Sequence, residues 1–374
     1  MKIAIVANST WNIYNFRLNI LRALENQGAE IVVIAPLDKY INYLNQFDSV
    51  RHIPLKKLHR KSVNPYYDFK LFQEFAQIYK KEKPDLVLHF TIKPNIFGNL
   101  AAKFCNIPSI CAVTGLGYAF LHNGWVERIS TWLYRFSFSF AKKVIFENQD
   151  DRTLFIEKKI IKAEQGIAIK GCGIDLNHYK PLLPENKPKN KIIFTFIGRL
   201  LYDKGILEFV EAAKIIKKRH TNVQFWVVGE IDKENPATAS EEQLLEWVNE
   251  KTIIEWGPSA DVRQQIRNSD CIVLPSYSEG SPRVLQEAIG MARPIIATDV
   301  AGCREIVQEG ENGFLCKVKD VNSLVGGMEK FIQLSENQQV AMGKKGRVLA
   351  EKYFDEKIIA QFYIDIFHDI YDKK

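Results

Sequence analysis

The sequence predicts an α/β protein of two doubly wound domains, and three observations carry that prediction. Short Ile/Val-rich runs recur along the chain, segments of helical period alternate with them, and a Pro-rich, charged stretch near the middle divides the series. The 374 residues also exceed what one ordinary core serves, which fits two units of roughly 170–190 residues. No apolar run approaches the ~18–20 residues of a membrane span.

In chain order, KIAIVA (2–7) is short and followed by polar residues, so it reads as a first strand and not a signal peptide. EIVVIA (30–35), LVLHF (86–90), SICAV (109–113) and KVIFE (143–147) continue the series, with helical segments such as NFRLNILRALENQG between them. Runs that are apolar throughout belong to parallel strands buried on both faces. GCGIDLNHYKPLLPENKPKN (171–190) holds three prolines, glycines and charge, leaving little to bury, and reads as the linker. IIFTFIG (192–198), VQFWVVG (223–229), TIIEW (252–256), CIVLP (271–275) and PIIAT (294–298) repeat the scheme. In DEKIIAQFYIDIFHDIYDKK (355–374), Ile358, Ile359, Phe362, Phe367 and Ile370 recur at near-helical spacing. This predicts a terminal amphipathic helix rather than a membrane-surface one, because its ends carry acids as well as lysines. The expected boundaries are a domain at 1–172, a linker at 173–190, a domain at 191–354 and a helix at 355–374 that packs back on the first domain. Doubly wound sheets take ligands at the carboxyl ends of their strands, so two crevices are expected to face each other across a hinge.

The net charge of +7 is uneven: residues 1–180 hold 25 Lys/Arg against 15 Asp/Glu, and residues 181–374 hold 26 against 29. The excess peaks in RHIPLKKLHRK (51–61), inside an acid-free stretch from Val50 to Tyr67. Either an anionic partner such as a lipid surface or an ordinary solvated face accounts for it. A nucleic-acid partner is disfavoured, because aromatics do not interleave with this run as a stacking platform requires. RISTWLYRFSFSFAKK (128–143) does set aromatics among cations, and core packing explains them equally well. The six cysteines are scattered without a C-x-x-C pair, which points to reduced thiols in a cytoplasmic protein.

Two stretches carry chemistry. In FIGRLLYDKG (196–205) a strand ends at Gly198, Arg199 follows, and Lys204 stands at a helix start. Cations placed so, beside free helical N–H groups, can hold a diphosphate; they can also be solvated loop residues. In PSYSEGSPRVLQEA (275–288), Ser281 suits the N-cap and Pro282 the first helical position, leaving the N–H groups of Arg283 and Val284 for an anion. Glu279 before the helix and Glu287 inside it can accept from sugar and ribose hydroxyls. The plain alternative is a pair of surface acids.

EGSPRVLQE (279–287) resembles the E-x7-E signature of the family 4 retaining glycosyltransferases of GT-B fold, two Rossmann-like domains facing across a cleft. IGRLLYDKG is similar to that family's diphosphate-binding Arg and Lys, VAGCREIVQEGENGFL (300–315) to its G-x-x-E-I-V…G-x-N-G run, and GCGIDLNHYKP to its N-G-V-D…F-x-P segment. IYNFR (13–17), IKPNIFGNLAAK (92–103), TGLGYAF (114–120) and GEIDKENPATAS (229–240) resemble bacterial members that build capsule and lipid-linked oligosaccharides, among them N-acetylgalactosaminyltransferases of N-glycan assembly. The resemblance implies a UDP-sugar donor, a polyprenyl-diphosphate-linked glycan acceptor and no cofactor or metal. It implies catalytic roles for Arg199, Lys204 and Glu279. The donor would be bound by these with Gly198, Gly280, Ser281, Pro282, Arg283, Val284 and Glu287, and EWGPSADV (255–262) resembles the loop that brackets the uracil. Asn15, Phe16, Arg17, Lys93, Thr114, Gly115, Leu116 and Gly117 would line the acceptor side.

The chain departs from the family in two places: ANSTWNIYN after the first strand has no glycine pair, and AVTGLG has no histidine. His89 stands near a neighbouring motif and reads equally as a buried strand residue. The absence of any D-x-D fits a diphosphate neutralised by fixed cations and a helix terminus. Transfer with retention by a front-face attack is preferred over a double displacement through Glu279. Lys56, Lys57, Arg60 and Lys61 are expected to meet anionic lipid, placing the protein peripherally on the inner face of the cytoplasmic membrane. A UDP-sugar epimerase and a non-enzymatic nucleotide-sugar binder are the competing readings.

Overall fold

The computed structural model describes residues 1–59, 62, 64–116, 124–233, 235 and 237–371. The chain forms two compact units, Met1–Cys172 joined by Glu356–Lys374, and Gly173–Asp355.

The first unit is built on a parallel sheet of β1 (Lys2–Val6), β2 (Glu30–Ala35), β3 (Val50–Pro54), β4 (Leu86–Phe90), β5 (Ser109–Val113), β6 (Lys143–Phe146) and β7 (Gly166–Ala168), in the order β3-β2-β1-β4-β5-β6-β7. Helices cover both faces, so the central strands are buried along their whole length, as their mostly apolar runs require. The terminal helix Glu356–Tyr371 lies on the helix Leu18–Asn26 and buries Ile359, Tyr363, Ile364 and Phe367 in this core. Ile358, expected on the apolar face, is exposed instead.

The second unit holds β8 (Ile192–Ile197), β9 (Val223–Val228), β10 (Ile254–Gly257), β11 (Cys271–Leu274), β12 (Ile295–Thr298) and β13 (Gly313–Cys316), all parallel, in the order β10-β9-β8-β11-β12-β13. The segment expected to have little to bury divides here. Ile174, Leu176 and Tyr179 enter the core against the helices Arg283–Gly290 and Glu336–Tyr353, while the residues from Lys180 onward are largely exposed. Arg347 pins this stretch by donating to the carbonyls of Tyr179 at 2.9 Å and Gly290 at 2.6 Å. Three isolated apolar side chains at near-alternate positions were enough to anchor a Pro-rich segment.

His89 is fully buried in β4, with Nε2 2.9 Å from the Tyr79 hydroxyl, so it is a core residue of the first sheet. Burial pushes its pKa down to about 3. The folded chain therefore keeps His89 neutral where the unfolded chain takes up a proton near the ordinary value of about 6.5. Stability is whole above that value and is lost as the pH falls toward 3. Between about pH 7.5 and pH 5, wild type is expected to lose about 2 kcal/mol more than His89→Gln in urea denaturation. Equal losses in the two proteins would contradict this reading.

Candidate active site

In each sheet the strand order reverses once, and doubly wound sheets take their ligands at the carboxyl ends beside that point. In the second sheet the reversal falls between β8 and β11. β8 runs through Gly198 and Arg199 into a 3₁₀ turn, Tyr202–Lys204, and the helix Ile206–Arg219. β11 runs through residues 275–282 into the helix Arg283–Gly290. Topology thus joins two stretches some 75 positions apart.

The two loops are locked together. Gly205 sits at φ 77°, where glycine is favoured, and a Cβ there would collide with the Pro275 carbonyl. The Asp203 carbonyl accepts from the Tyr277 N–H at 2.9 Å and from the Ser276 hydroxyl at 3.1 Å. Across this seam Lys204 Nζ stands 2.6 Å from Glu279 Oε1, a short charge-assisted bond. From below, the Gly302 N–H donates to the Glu279 carbonyl at 3.1 Å, and any side chain at Gly302 would strike the backbone of Glu279 and Gly280. This explains the glycine in VAGCREIV: it seats the loop that carries the acid.

Arg199 lies farther out, half-exposed, with Nη1 2.9 Å from Asp232 Oδ2. Each of the two cations is therefore held by its own carboxylate. A diphosphate arriving here would find positive groups already positioned, at the cost of displacing the carboxylates of Glu279 and Asp232, 10% and 27% exposed.

The helix after β11 starts one residue later than expected. Pro282 is the cap residue at ψ 115°, no side chain caps the helix, and Arg283 is its first residue. The proline ring fixes φ, but the extended ψ carries the chain past it before helical geometry begins. Ser281 does not cap; its Oγ accepts from the Gln286 amide at 2.9 Å. The positive helix end nevertheless opens without a side-chain cap, beside Gly280 and Glu279.

Glu287 lies buried inside this helix, with Arg283 Nε 2.9 Å from its Oε1. Burial pushes its carboxyl up, against the pull of Arg283 and a hydrogen bond from the Tyr179 hydroxyl. Asp261, in the EWGPSADV loop, also raises it, so that loop lies within electrostatic reach of Glu287. Sequence reasoning missed Asp232 and Tyr179. The aromatic of HYKP was the available signal for Tyr179, and the GEIDKENPATAS stretch that for Asp232.

In the first sheet the reversal falls between β1 and β4. The glycine-free exit of β1 is held by side chains: Ser9 Oγ accepts from the Asn12 N–H at 3.1 Å, capping the helix Thr10–Phe16, and Asp38 accepts from the Trp11 N–H at 3.0 Å and from the Thr10 hydroxyl. Asn15 and Phe16 are the last two residues of that helix. Arg17 turns inward, 2% exposed, 3.2 Å from buried Glu147 and with its guanidinium 3.9 Å above the Phe90 ring. Beyond β4, Thr91 is held at φ 71°, a strained position for a β-branched residue, and Lys93 bonds Asp68 at 2.6 Å. Thr114, Gly115 and Leu116 follow β5, partly buried; Gly117 lies outside the described residues.

Lys56 and Lys57 are exposed, and both their backbone N–H groups donate to Glu74 at 2.9 Å; Arg60 and Lys61 lie outside the described residues. Arg51 is paired with Glu82 at 2.8 Å and Glu30 at 3.0 Å. A run free of acids in sequence is not free of them in space. Among the described residues no helix is long and apolar enough to cross a membrane, and no group of three or more His, Cys, Asp or Glu side chains could hold a metal ion.

Comparison with known proteins places this geometry. The family model "Glycosyl transferase 4-like" matches residues 2–148 and "Glycosyl transferases group 1" matches residues 183–348. The N,N'-diacetylbacillosaminyl-diphospho-undecaprenol alpha-1,3-N-acetylgalactosaminyltransferase of Campylobacter jejuni is 31% identical over 383 residues, covering 98% of both chains. The UDP-Gal:alpha-D-GlcNAc-diphosphoundecaprenol alpha-1,3-galactosyltransferase of Escherichia coli is 26% identical over 82% of this chain and 80% of its own. Among solved structures, HepE of Anabaena in complex with UDP superposes at a TM-score of 0.78, with 19% identity over 99% of this chain and all of that one. Two reversals of strand order, two matched family models in the same chain order and a relative alike from end to end make this chain a member of the family 4 glycosyltransferases, with the GT-B fold.

Proposed function

We propose that the protein moves a hexose or N-acetylhexosamine from a UDP-sugar to a polyprenyl-diphosphate-linked saccharide, with retained anomeric configuration and without a metal, in bacterial surface-glycan assembly. The observation that carries this reading is the Lys204–Glu279 pair, set at 2.6 Å where the second sheet reverses its strand order. The donor diphosphate engages Lys204, Arg199 and the uncapped start of the helix Arg283–Gly290; Glu279 faces the sugar and Glu287 the ribose. The bond from the anomeric carbon to the diphosphate oxygen breaks, UDP leaves with the electron pair, and the acceptor hydroxyl oxygen bonds that carbon from the same face. Its proton passes to the departing phosphate oxygen. The names of the relatives support an undecaprenyl-diphosphate acceptor, and the cations of the first unit, Lys56, Lys57, Arg60 and Lys61 included, support peripheral association with the cytoplasmic face of the membrane.

UDP release across a panel of UDP-sugars, with and without polyprenyl-diphosphate-linked monosaccharide, tests the reading. The expected result is release that requires acceptor, persists in chelator and yields an α-linked product. Conversion of the sugar without acceptor would mark an epimerase, and binding of UDP without release a sensor; either would overturn the proposal.

A further inference from the structure

We infer that Tyr277 is a positioning residue for the transfer: through its bond to Glu208 it fixes the loop that carries Glu279 against the turn that carries Lys204. This deepens the proposed function and rests on it. Motif spacing singles out two acids and two cations at this site, and the aromatic between Ser276 and Ser278 is not among them.

Three strand exits meet on that side chain. On the β11 side, the Tyr277 N–H donates to the Asp203 carbonyl at 2.9 Å. On the β8 side, Glu208 stands in the first turn of the helix Ile206–Arg219, and its Oε1 accepts from the Tyr277 hydroxyl at 2.6 Å. From the exit of β13 comes Lys319, held at φ 58°, with Nζ 4.6 Å from the centroid of the Tyr277 ring. Asp203 directly precedes Lys204, and Glu208 follows it by one helical turn. The backbone on both sides of Lys204 is thereby tied to the loop that holds Glu279.

Glu208 shows that this contact has a cost. Its Oε2 is buried and has no hydrogen-bond partner among the described residues, a state in which few native side-chain oxygens are left. An acid in a helix's first turn complements the dipole, but an exposed acid does so equally well. What burial adds is the short, charge-assisted bond from the Tyr277 hydroxyl. Burial, and then Glu208, pushes the pKa of that hydroxyl up, so it keeps its proton and remains the donor. In the proposed reaction Lys204 meets the departing diphosphate at this seam, where charge acts fully only when it is held in place beforehand.

Acceptor-dependent UDP release by Tyr277→Phe, measured in the wild-type and in the Lys204→Ala background, tests this. In the wild-type background kcat is expected to fall about tenfold. Glu208→Ala is expected to match that loss, and the two changes together to cost no more than either alone. Glu208→Gln, which keeps an accepting oxygen, is expected to retain most of the rate. In Lys204→Ala, Tyr277→Phe is expected to cost less than about twofold, because a residue that acts through Lys204 has nothing left to position. Thermal midpoints are expected to stay within about 4 °C of wild type. A second tenfold loss in the Lys204→Ala background, or wild-type kcat in both Tyr277→Phe and Glu208→Ala, would overturn the inference and leave the transferase reading intact. Failure of wild type to turn over any UDP-sugar would instead sink the proposed function. The dissociation constant of UDP then decides the inference: it is expected to rise about threefold in Tyr277→Phe and to stay unchanged where Lys204 is already replaced, and an equal rise in both backgrounds would overturn it.

Discussion

Lys204→Ala is expected to lower kcat by about 10²–10³, the usual cost of removing one preorganised donor from a developing oxyanion. The reason lies in position as much as charge. Lys204 stands just before Gly205, whose positive φ and close seat on Pro275 fix the turn, and Glu279 holds its ammonium at 2.6 Å. The charge thus arrives already oriented, and none of the binding energy of the diphosphate is spent on ordering it. Arg199 is half-exposed and bonded to Asp232 in a loop, so Arg199→Ala is expected to cost roughly ten times less in kcat than Lys204→Ala. Arg199→Ala should keep the wild-type unfolding midpoint, because a pair this exposed contributes only about 0–1 kcal/mol. Steady-state kinetics of UDP release check the ratio; equal losses for the two cations would mean that the seam between the β8 and β11 loops is not where charge develops.

Glu147→Ala is expected to destabilise the protein by about 3–5 kcal/mol, with the loss read from urea denaturation. The partner, Arg17, is 2% exposed and cannot turn to water, so removing the carboxylate leaves a buried guanidinium supported only by the Phe90 ring and weaker contacts. Burial pushes the Glu147 carboxyl up, against the pull of Arg17 beside it. The double variant Arg17→Met/Glu147→Leu is accordingly expected to recover much of the stability lost in the single one. A double variant worse than Glu147→Ala would show that the pair contributes more than mutual compensation.

These two sites also show what could be read from the chain beforehand. Every interior strand of both sheets, β1, β2, β4, β5, β6, β8, β9, β11 and β12, stood out as an apolar run with at most one polar residue, because burial on two faces leaves little room for polar groups. Three of the four edge strands did not: β3 was hidden in a basic stretch, β7 is three residues long, and β13 sits within the G-x-N-G motif. Edge strands bury less and therefore write a weaker pattern. At the site, Arg199, Lys204, Glu279 and Glu287 were legible from motif spacing. Their immediate partners Asp232 and Tyr179 come from other segments and were not, since pairing between segments distant in the chain leaves no periodic trace. Arg17 was misplaced for the same reason. Its neighbour Glu147 is 130 positions away, and nothing local distinguishes a buried arginine from one that faces a ligand.

A structure with bound UDP tests the central claim most directly. The account predicts the two phosphates within hydrogen-bonding distance of Lys204 and Arg199 and of the first amides of the helix Arg283–Gly290, with the ribose hydroxyls on Glu287. UDP seated over the first unit's sheet, or bound in the second unit with its phosphates out of reach of Lys204, would contradict it.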